Sequence, residues 1–295
     1  MAAACLGVGR FYNGQEHVSE WQLGLNGISM NCGQAREIAI ADELGYDYLE
    51  MRQWKTEAFL REQPVERLRA LFIESRVKPL SINAIEPICV GPGENEQQFT
   101  GRVRSLLQIA GAVGCECVVA NAYGIAPDIS PQQGKRMMID GLKLASDIAA
   151  EYNVQLAYEF LTRQYPVHTI ADTMDVLEAV DRDNVGWLLD FHFFHVSDPS
   201  LEALEMAGAN RLLMVHMNDL PNSPVADLAV GQATRVLPGD GQVAICALLA
   251  TLCRMGYKRP FSVEVFDPQF MNWDPVEFAS TAKEKILTLL NEHYR

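Results

Sequence analysis

The sequence predicts an α/β protein closed as a (β/α)8 TIM barrel. Three observations predict it. Eight strand-like apolar runs recur along the 295 residues, and helix-like segments lie between them. The runs are continuously apolar rather than alternating, as in strands buried on both faces of a parallel sheet. Strands joined through single helices need parallel crossovers, which are right-handed in nearly all cases. Eight such units point to a closed barrel. An open doubly wound sheet is the alternative, but no G-x-G-x-x-G follows the first run. No low-complexity linker divides the chain, so residues 1–295 are expected to form a single barrel domain, a common length for that fold.

The first strand is expected over 23–29 (LGLNGIS). AREIAIADELG follows, with apolar residues at three- and four-residue spacing and a natural helix stop at Gly45. The second and third strands are 47–51 (DYLEM) and 78–84 (KPLSINA). QQFTGRVRSLLQIAGAVG reads as a helix ending at Gly114, and the fourth strand follows at 116–122 (ECVVANA). Ser130 is placed to cap the next helix, KRMMIDGLKLASDIAAEY, and Pro131 to fill its first turn. The last four strands are 154–160 (VQLAYEF), 185–191 (VGWLLDF), 211–217 (RLLMVHM) and 260–265 (PFSVEV). The longest irregular stretch, 218–241, follows the seventh strand. A loop of that length inside a compact domain is usually functional, and this one is expected to lie over the barrel mouth.

Composition excludes several classes. A net charge of −14 and a pI near 4.9 would repel a phosphate backbone, so neither nucleic acid nor an anionic membrane is an expected partner. No apolar run approaches the roughly 20 residues of a membrane span. The N-terminus lacks a basic segment followed by a long apolar core, so no secretory signal is expected and the protein is read as cytoplasmic. Seven cysteines without a C-x-x-C pair read as reduced thiols. Cys115 and Cys117, as alternating strand residues, are expected to face the same way.

Barrel enzymes place their sites at the C-terminal ends of the strands. Polar residues gather there: Asn26, Glu50 with Arg52, Asn83 with Glu86, Asn121, Glu159, Asp190 with His192 and His195, His216 with Asn218 and Asp219, and Glu264. One such residue reads as a solvated strand end. Nearly every strand ending this way reads as a site, because buried polar groups are costly without partners. Glu159, Asp190, His216 and Glu264 would meet at one point if their strands are neighbours. Three carboxylates and an imidazole there would bind one divalent ion and leave positions open for a substrate. Oxygen ligands with a single nitrogen suit Mn²⁺, Mg²⁺, Co²⁺ or Zn²⁺, and spacing does not choose among them. If the chain stays extended after Asp190, His192 lines the pocket and His195 packs against a loop; a bend would reverse this. Arg235, in RVLPGDG, either reaches a substrate oxygen or pairs with Asp240 or Asp227. Trp21, Trp54, Trp187 and Trp273 supply a wall for a sugar ring, or core and interface. FDPQFMNW (266–273) either supports a homo-oligomer or closes over the pocket.

At these residues the chain resembles the sugar isomerase/epimerase superfamily with the xylose-isomerase-like barrel. Within it, the chain is most similar to the inosose (2-keto-myo-inositol) isomerases. The similar stretches span most of the chain: LGYDYLEMR (44–52), VKPLSINAIE (77–86), LAYEF (156–160), 181–204, VHMND (215–219), RVLPGDG (235–241) and 256–270. The resemblance implies that Glu159, Asp190, His216 and Glu264 hold the metal, and that Glu159 and Glu264 also serve as acid and base. It matches Asn83 and Arg235 to pocket positions. Relatives commonly carry D-x-F-H-F-H. Here Phe193 stands three residues after Asp190, His192 lies one place earlier, and His195 matches the later histidine. The expected substrate contacts are thus Glu50, Asn83, His192, His195 and Arg235.

The implied reaction moves a carbonyl along a keto-polyol by proton abstraction through a metal-stabilised enediolate. Ketose 3-epimerisation and keto-polyol dehydration begin with the same step. So does C-glycoside cleavage by certain metal subunits of this superfamily, which need a small partner protein. Apurinic-site endonucleases share the barrel but use a richer histidine and carboxylate cluster for several zinc ions. Six histidines, with His17 and His293 remote from the strand ends, and an acidic surface weigh against that activity. The intact ligand set weighs against a non-catalytic sugar-binding barrel.

Overall fold

The computed structural model describes residues 21–126, 128–224 and 235–294. The expectations for the N-terminus, for His17, and for 225–234 of the mouth loop with Asp227 lie outside the described residues. Eight parallel strands close into one barrel in chain order. They are β1 (Leu23–Asn26), β2 (Tyr48–Arg52), β3 (Lys78–Ile85), β4 (Cys117–Ala120), β5 (Gln155–Glu159), β6 (Val185–Asp190), β7 (Leu212–Met217) and β8 (Phe261–Val263). β8 pairs with both β7 and β1, which completes the ring and leaves no sheet edge.

All eight expected strands are present, and most differences lie at their ends. β1 stops at Asn26 because its side chain accepts the Ile28 N–H at 2.9 Å and starts a 3-10 turn over Gly27–Ser29. The fourth strand ends in a similar way, where the Asn121 side chain accepts the Tyr123 N–H at 2.9 Å, and the eighth spans only Phe261–Val263. The α-helices among the described residues are α1 (Gln34–Leu44), α2 (Gln53–Leu60), α3 (Val65–Ile73), α4 (Glu96–Val113), α5 (Pro131–Glu151), α6 (Ile170–Val180), α7 (Phe191–Ser197), α8 (Leu201–Ala207), α9 (Ile245–Arg254) and α10 (Pro275–His293). α1 and α4 end at Gly45 and Gly114, whose φ of 69° and 90° is the left-handed turn that glycine adopts without a Cβ clash. Ser130 caps α5 by accepting the Gln133 N–H, with Pro131 in the first turn. None of the described helices is long and apolar enough to cross a membrane.

Apolar side chains fall into two groups. The larger fills the space between barrel and helices and includes the fully buried Trp187. The smaller lines the barrel interior: Ala157, Leu188 and Met214 with Cys117, Val119 and others. Cys115 and Cys117 belong to different groups, against the expectation that they face alike. Cys115 precedes β4, so the strand alternation does not reach it. The inner group sets up the site. Two residues beyond Ala157, Leu188, Met214 and Ser262, on the same inward face, stand Glu159, Asp190, His216 and Glu264. The apolar layer is the floor, and the polar layer is the next step up each strand.

Candidate active site

Glu159, Asp190, His216 and Glu264 each offer one ligand atom, and these atoms lie within 4.8 Å of one another. His216 Nδ1 sits 3.4 Å from Glu159 Oε1, 3.2 Å from Glu264 Oε2 and 3.8 Å from Asp190 Oδ2. All four residues are buried. His216 Nδ1 and Glu159 Oε1 make no hydrogen bond although both are shielded from solvent. Buried polar atoms are normally paired, and unpaired ones that converge on a common point mark the place of a missing partner. A divalent cation fits: three hard oxygens and one imidazole nitrogen are a suitable donor set for Zn²⁺ or Mn²⁺.

Neighbours fix the other lone pairs. The Phe193 N–H at the start of α7 donates to Asp190 Oδ1 at 3.0 Å, and Asn218 and Arg235 donate to Oδ2 at 2.8 and 3.2 Å. Arg235 also donates to Glu264 Oε2 at 3.2 Å, and Asn26 to Glu264 Oε1 at 3.2 Å. Asn121 bridges Glu159 Oε2 and Glu86 Oε1, at 3.4 and 2.9 Å. Burial pushes the Glu159 carboxyl up to about 7, although His216 pulls it down. Burial acts on Glu264 in the same sense, but there His216 and Arg235 win and hold it well below the usual carboxylate range. Against its burial, Glu50 and Glu264 hold His216 well above an ordinary histidine.

A cavity of about 260 Å³ opens above the cluster. Arg52, Asn83, Glu86, Asn121, Glu159, Arg235 and Glu264 supply its polar wall. Ile28, Trp54, Tyr123, Phe193 and Phe266 supply the apolar wall. Larger hollows of about 650 and 710 Å³ lie at the opposite barrel end and beside α1 and α2, away from the four-residue cluster. Of the sequence-expected substrate contacts, Asn83 and Arg235 reach the cavity. Glu50 does not: it is fully buried beneath His216, with its oxygens taken by protein donors. His192 and His195 do not line the cavity either. The chain turns into α7 directly after Asp190, so the extended spacing fails and Phe193 faces the cavity instead.

Of the tryptophans expected to supply a wall, Trp54 does so, and Phe266 opens the 266–273 segment expected to close over the pocket; Ile28 and Tyr123 were not foreseen, yet the sequence carried a signal for them. Ile28, Trp54, Tyr123 and Phe266 each lie two residues beyond a polar strand-end residue: Asn26, Arg52, Asn121 and Glu264. The two-residue strand period, continued one step, leads to them. Trp54 and Tyr123 stand at the rim, about half exposed.

Arg235 reaches the site because Asp219 organises its loop. Asp219 Oδ1 accepts the N–H groups of Leu220 and Val243, and Oδ2 those of Gly239 and Gly241, all between 2.8 and 3.1 Å. An antiparallel bridge joins Asp219 to Val236, next to Arg235. Arg235 then lies 5.3 Å over the Phe193 ring.

The chain is similar to proteins already known. The family model described as xylose isomerase-like TIM barrel matches residues 38–288. An inosose isomerase from Halalkalibacterium halodurans is 28% identical, over 90% of this chain and 94% of its own. An L-ribulose 3-epimerase from a Methylomonas strain is 22% identical, over 82% of this chain and 83% of its own. A crystal structure of the IOLI protein with a binding zinc atom superposes with a TM-score of 0.86 at 26% identity, covering 92% of this chain and 99% of that one.

Proposed function

The chain belongs to the xylose isomerase-like TIM barrel family, and on that footing we propose that it is a divalent-metal-dependent isomerase of a keto-polyol, with inosose as substrate. One observation carries the reading: His216 Nδ1 and Glu159 Oε1, buried and without a hydrogen bond, converge with Asp190 and Glu264 beneath a polar cavity. The likeness to inosose isomerases supports the substrate, and the zinc of the IOLI structure supports zinc as the metal.

Glu159, Asp190, His216 and Glu264 hold the cation in this scheme. When bound, it supplies Lewis-acid stabilisation for the negative charge that develops when a proton leaves the carbon beside a ketone. The other work falls to the chain. Glu159 and Glu264 both face the cavity, where one takes the carbon-bound proton and the other supports its return. Arg235, held by Asp190 and Glu264, presents fixed positive charge to substrate oxygen without losing its own proton. Asn83, which donates one amide hydrogen to Glu50, offers the other to a hydroxyl group, while Asn121 holds Glu159 in place. Phe193, Phe266 and Trp54 exclude water and face the C–H side of a polyol ring.

The test is product analysis. Zinc-reconstituted protein incubated with 2-keto-myo-inositol should yield an inosose whose ketone has moved, read as a new carbonyl position by carbon-13 NMR. A second reading, ketose 3-epimerisation, is favoured by the likeness to L-ribulose 3-epimerase and begins with the same proton abstraction. It predicts an unmoved ketone and an inverted neighbouring centre in a ketose. Turnover of neither substrate by metal-loaded protein would contradict both readings.

A further inference from the structure

We propose that Glu50 is a positioning residue for the metal centre: it holds the His216 imidazole with its proton on Nε2, so that Nδ1 is left as the donor to the cation. The inference rests on the proposed centre and assigns a role to a residue outside the cavity. Glu50 lies on β2 and is fully buried. His216 Nε2 is 3.0 Å from Glu50 Oε1 and 3.2 Å from Oε2. An ionised carboxylate only accepts hydrogen bonds, so the proton between them sits on Nε2. The opposite ring nitrogen, Nδ1, faces the ligand atoms of Glu159, Asp190 and Glu264.

Glu50 is itself held on several sides. Ser262 on β8 donates to Oε1 at 2.5 Å, and Asn26 on β1 at 3.4 Å. Ser81 and Asn83, both on β3, donate to Oε2 at 2.7 and 3.2 Å. With His216 on β7, one carboxylate gathers donors from four other strands. Barrel interiors are ordinarily filled by branched apolar side chains. A charge there costs several kcal/mol unless surrounded by donors, and an apolar replacement is often no less stable. Two serines and two asparagines that satisfy this one carboxylate therefore point to a task other than packing. Fixing the ring and tautomer of a metal-binding histidine is what such a carboxylate does, and losing it typically weakens metal binding 10- to 100-fold.

The test measures Zn²⁺ affinity by competition with a chelating dye for wild type, Glu50→Gln and Glu50→Asp. Glutamine keeps an acceptor but loses the charge; aspartate keeps the charge but falls short of His216. Both are expected to bind Zn²⁺ 10- to 100-fold more weakly. Equal affinity in a folded variant would overturn the inference while leaving the metal centre standing. So would a weaker metal-free fold that binds zinc as tightly as wild type, since that outcome is purely structural. Histidine-labelled nitrogen-15 NMR of zinc-loaded wild type needs no variant. It should show His216 protonated at Nε2 and metal-shifted at Nδ1; the reverse assignment overturns the proposal. Wild type that binds no Zn²⁺ would instead remove the centre itself, and this inference with it.

Discussion

Phe193 occupies the cavity wall where the sequence placed a histidine, and its neighbour His192 is packed away with both ring nitrogens unpaired. Burial, aided by Arg235, lowers His192 to about 2 from its ordinary 6.5. Between pH 6.5 and about pH 2 the unfolded chain then binds more protons than the fold, so stability rises with pH in that window. The cost is about 1.4 kcal/mol for each pH unit below 6.5. His192→Phe is expected to shrink the difference in urea midpoint between pH 7.5 and pH 5, and an unchanged difference would show that His192 takes a proton in the fold. The two cavity carboxylates carry the sharper claim. Glu159→Gln and Glu264→Gln should each lose about 10²-fold or more in kcat, since each removes a proton-transfer group. Near-normal turnover in either would end the two-carboxylate scheme. The four clustered residues were legible in the sequence because each sits at the polar end of an apolar run. The positions of His192 and Phe193 were not, because they depend on where the chain turns after Asp190, and the burial of Glu50 was not, because its partners come from other strands.

Two connections at the mouth are each tied by one charged side chain. Asp219 binds four backbone N–H groups and so fixes the segment that delivers Arg235. Asp219→Ala leaves those donors short of a partner and frees Arg235. The expected outcome is a higher KM and a lower kcat, with most of the barrel's circular dichroism retained. Unaltered steady-state constants would mean that the loop holds itself. On the other side, Lys55 in α2 pairs with the fully buried Glu37 of α1 and donates to the carbonyls of Gly27 and Met30. It thereby fixes the turn that brings Ile28 to the cavity. Lys55→Met strands a buried carboxylate and two carbonyls, and should destabilise the fold by about 3–5 kcal/mol in denaturant unfolding. The sequence period located the strands and the helix stops at Gly45 and Gly114. It could not locate Lys55–Glu37 or the hub role of Asp219, since both join segments through contacts that no local pattern encodes.

At the scale of the molecule, the closed barrel was legible because eight buried strands leave eight apolar runs, each joined to the next through helix, a repeat that eight times over suits a ring. Closure also explains why residues spread from Glu159 to Glu264 meet within 4.8 Å. In the proposed centre four groups are brought together only by the fold, so metal binding and folding would be linked equilibria. Zinc at a hundredfold excess over its Kd should stabilise the native state by about 2.7 kcal/mol. A chelator should reverse that gain in a thermal melt, and Asp190→Ala should abolish it. A melt indifferent to zinc and chelator would argue against the centre. The most direct test of the whole account is proton exchange. Zinc-loaded protein in D₂O with 2-keto-myo-inositol should place deuterium on the carbon beside the ketone, visible by proton NMR, and should stop doing so when the metal is chelated. Isomerisation without any deuterium uptake, or uptake that survives chelation, would contradict metal-assisted proton abstraction.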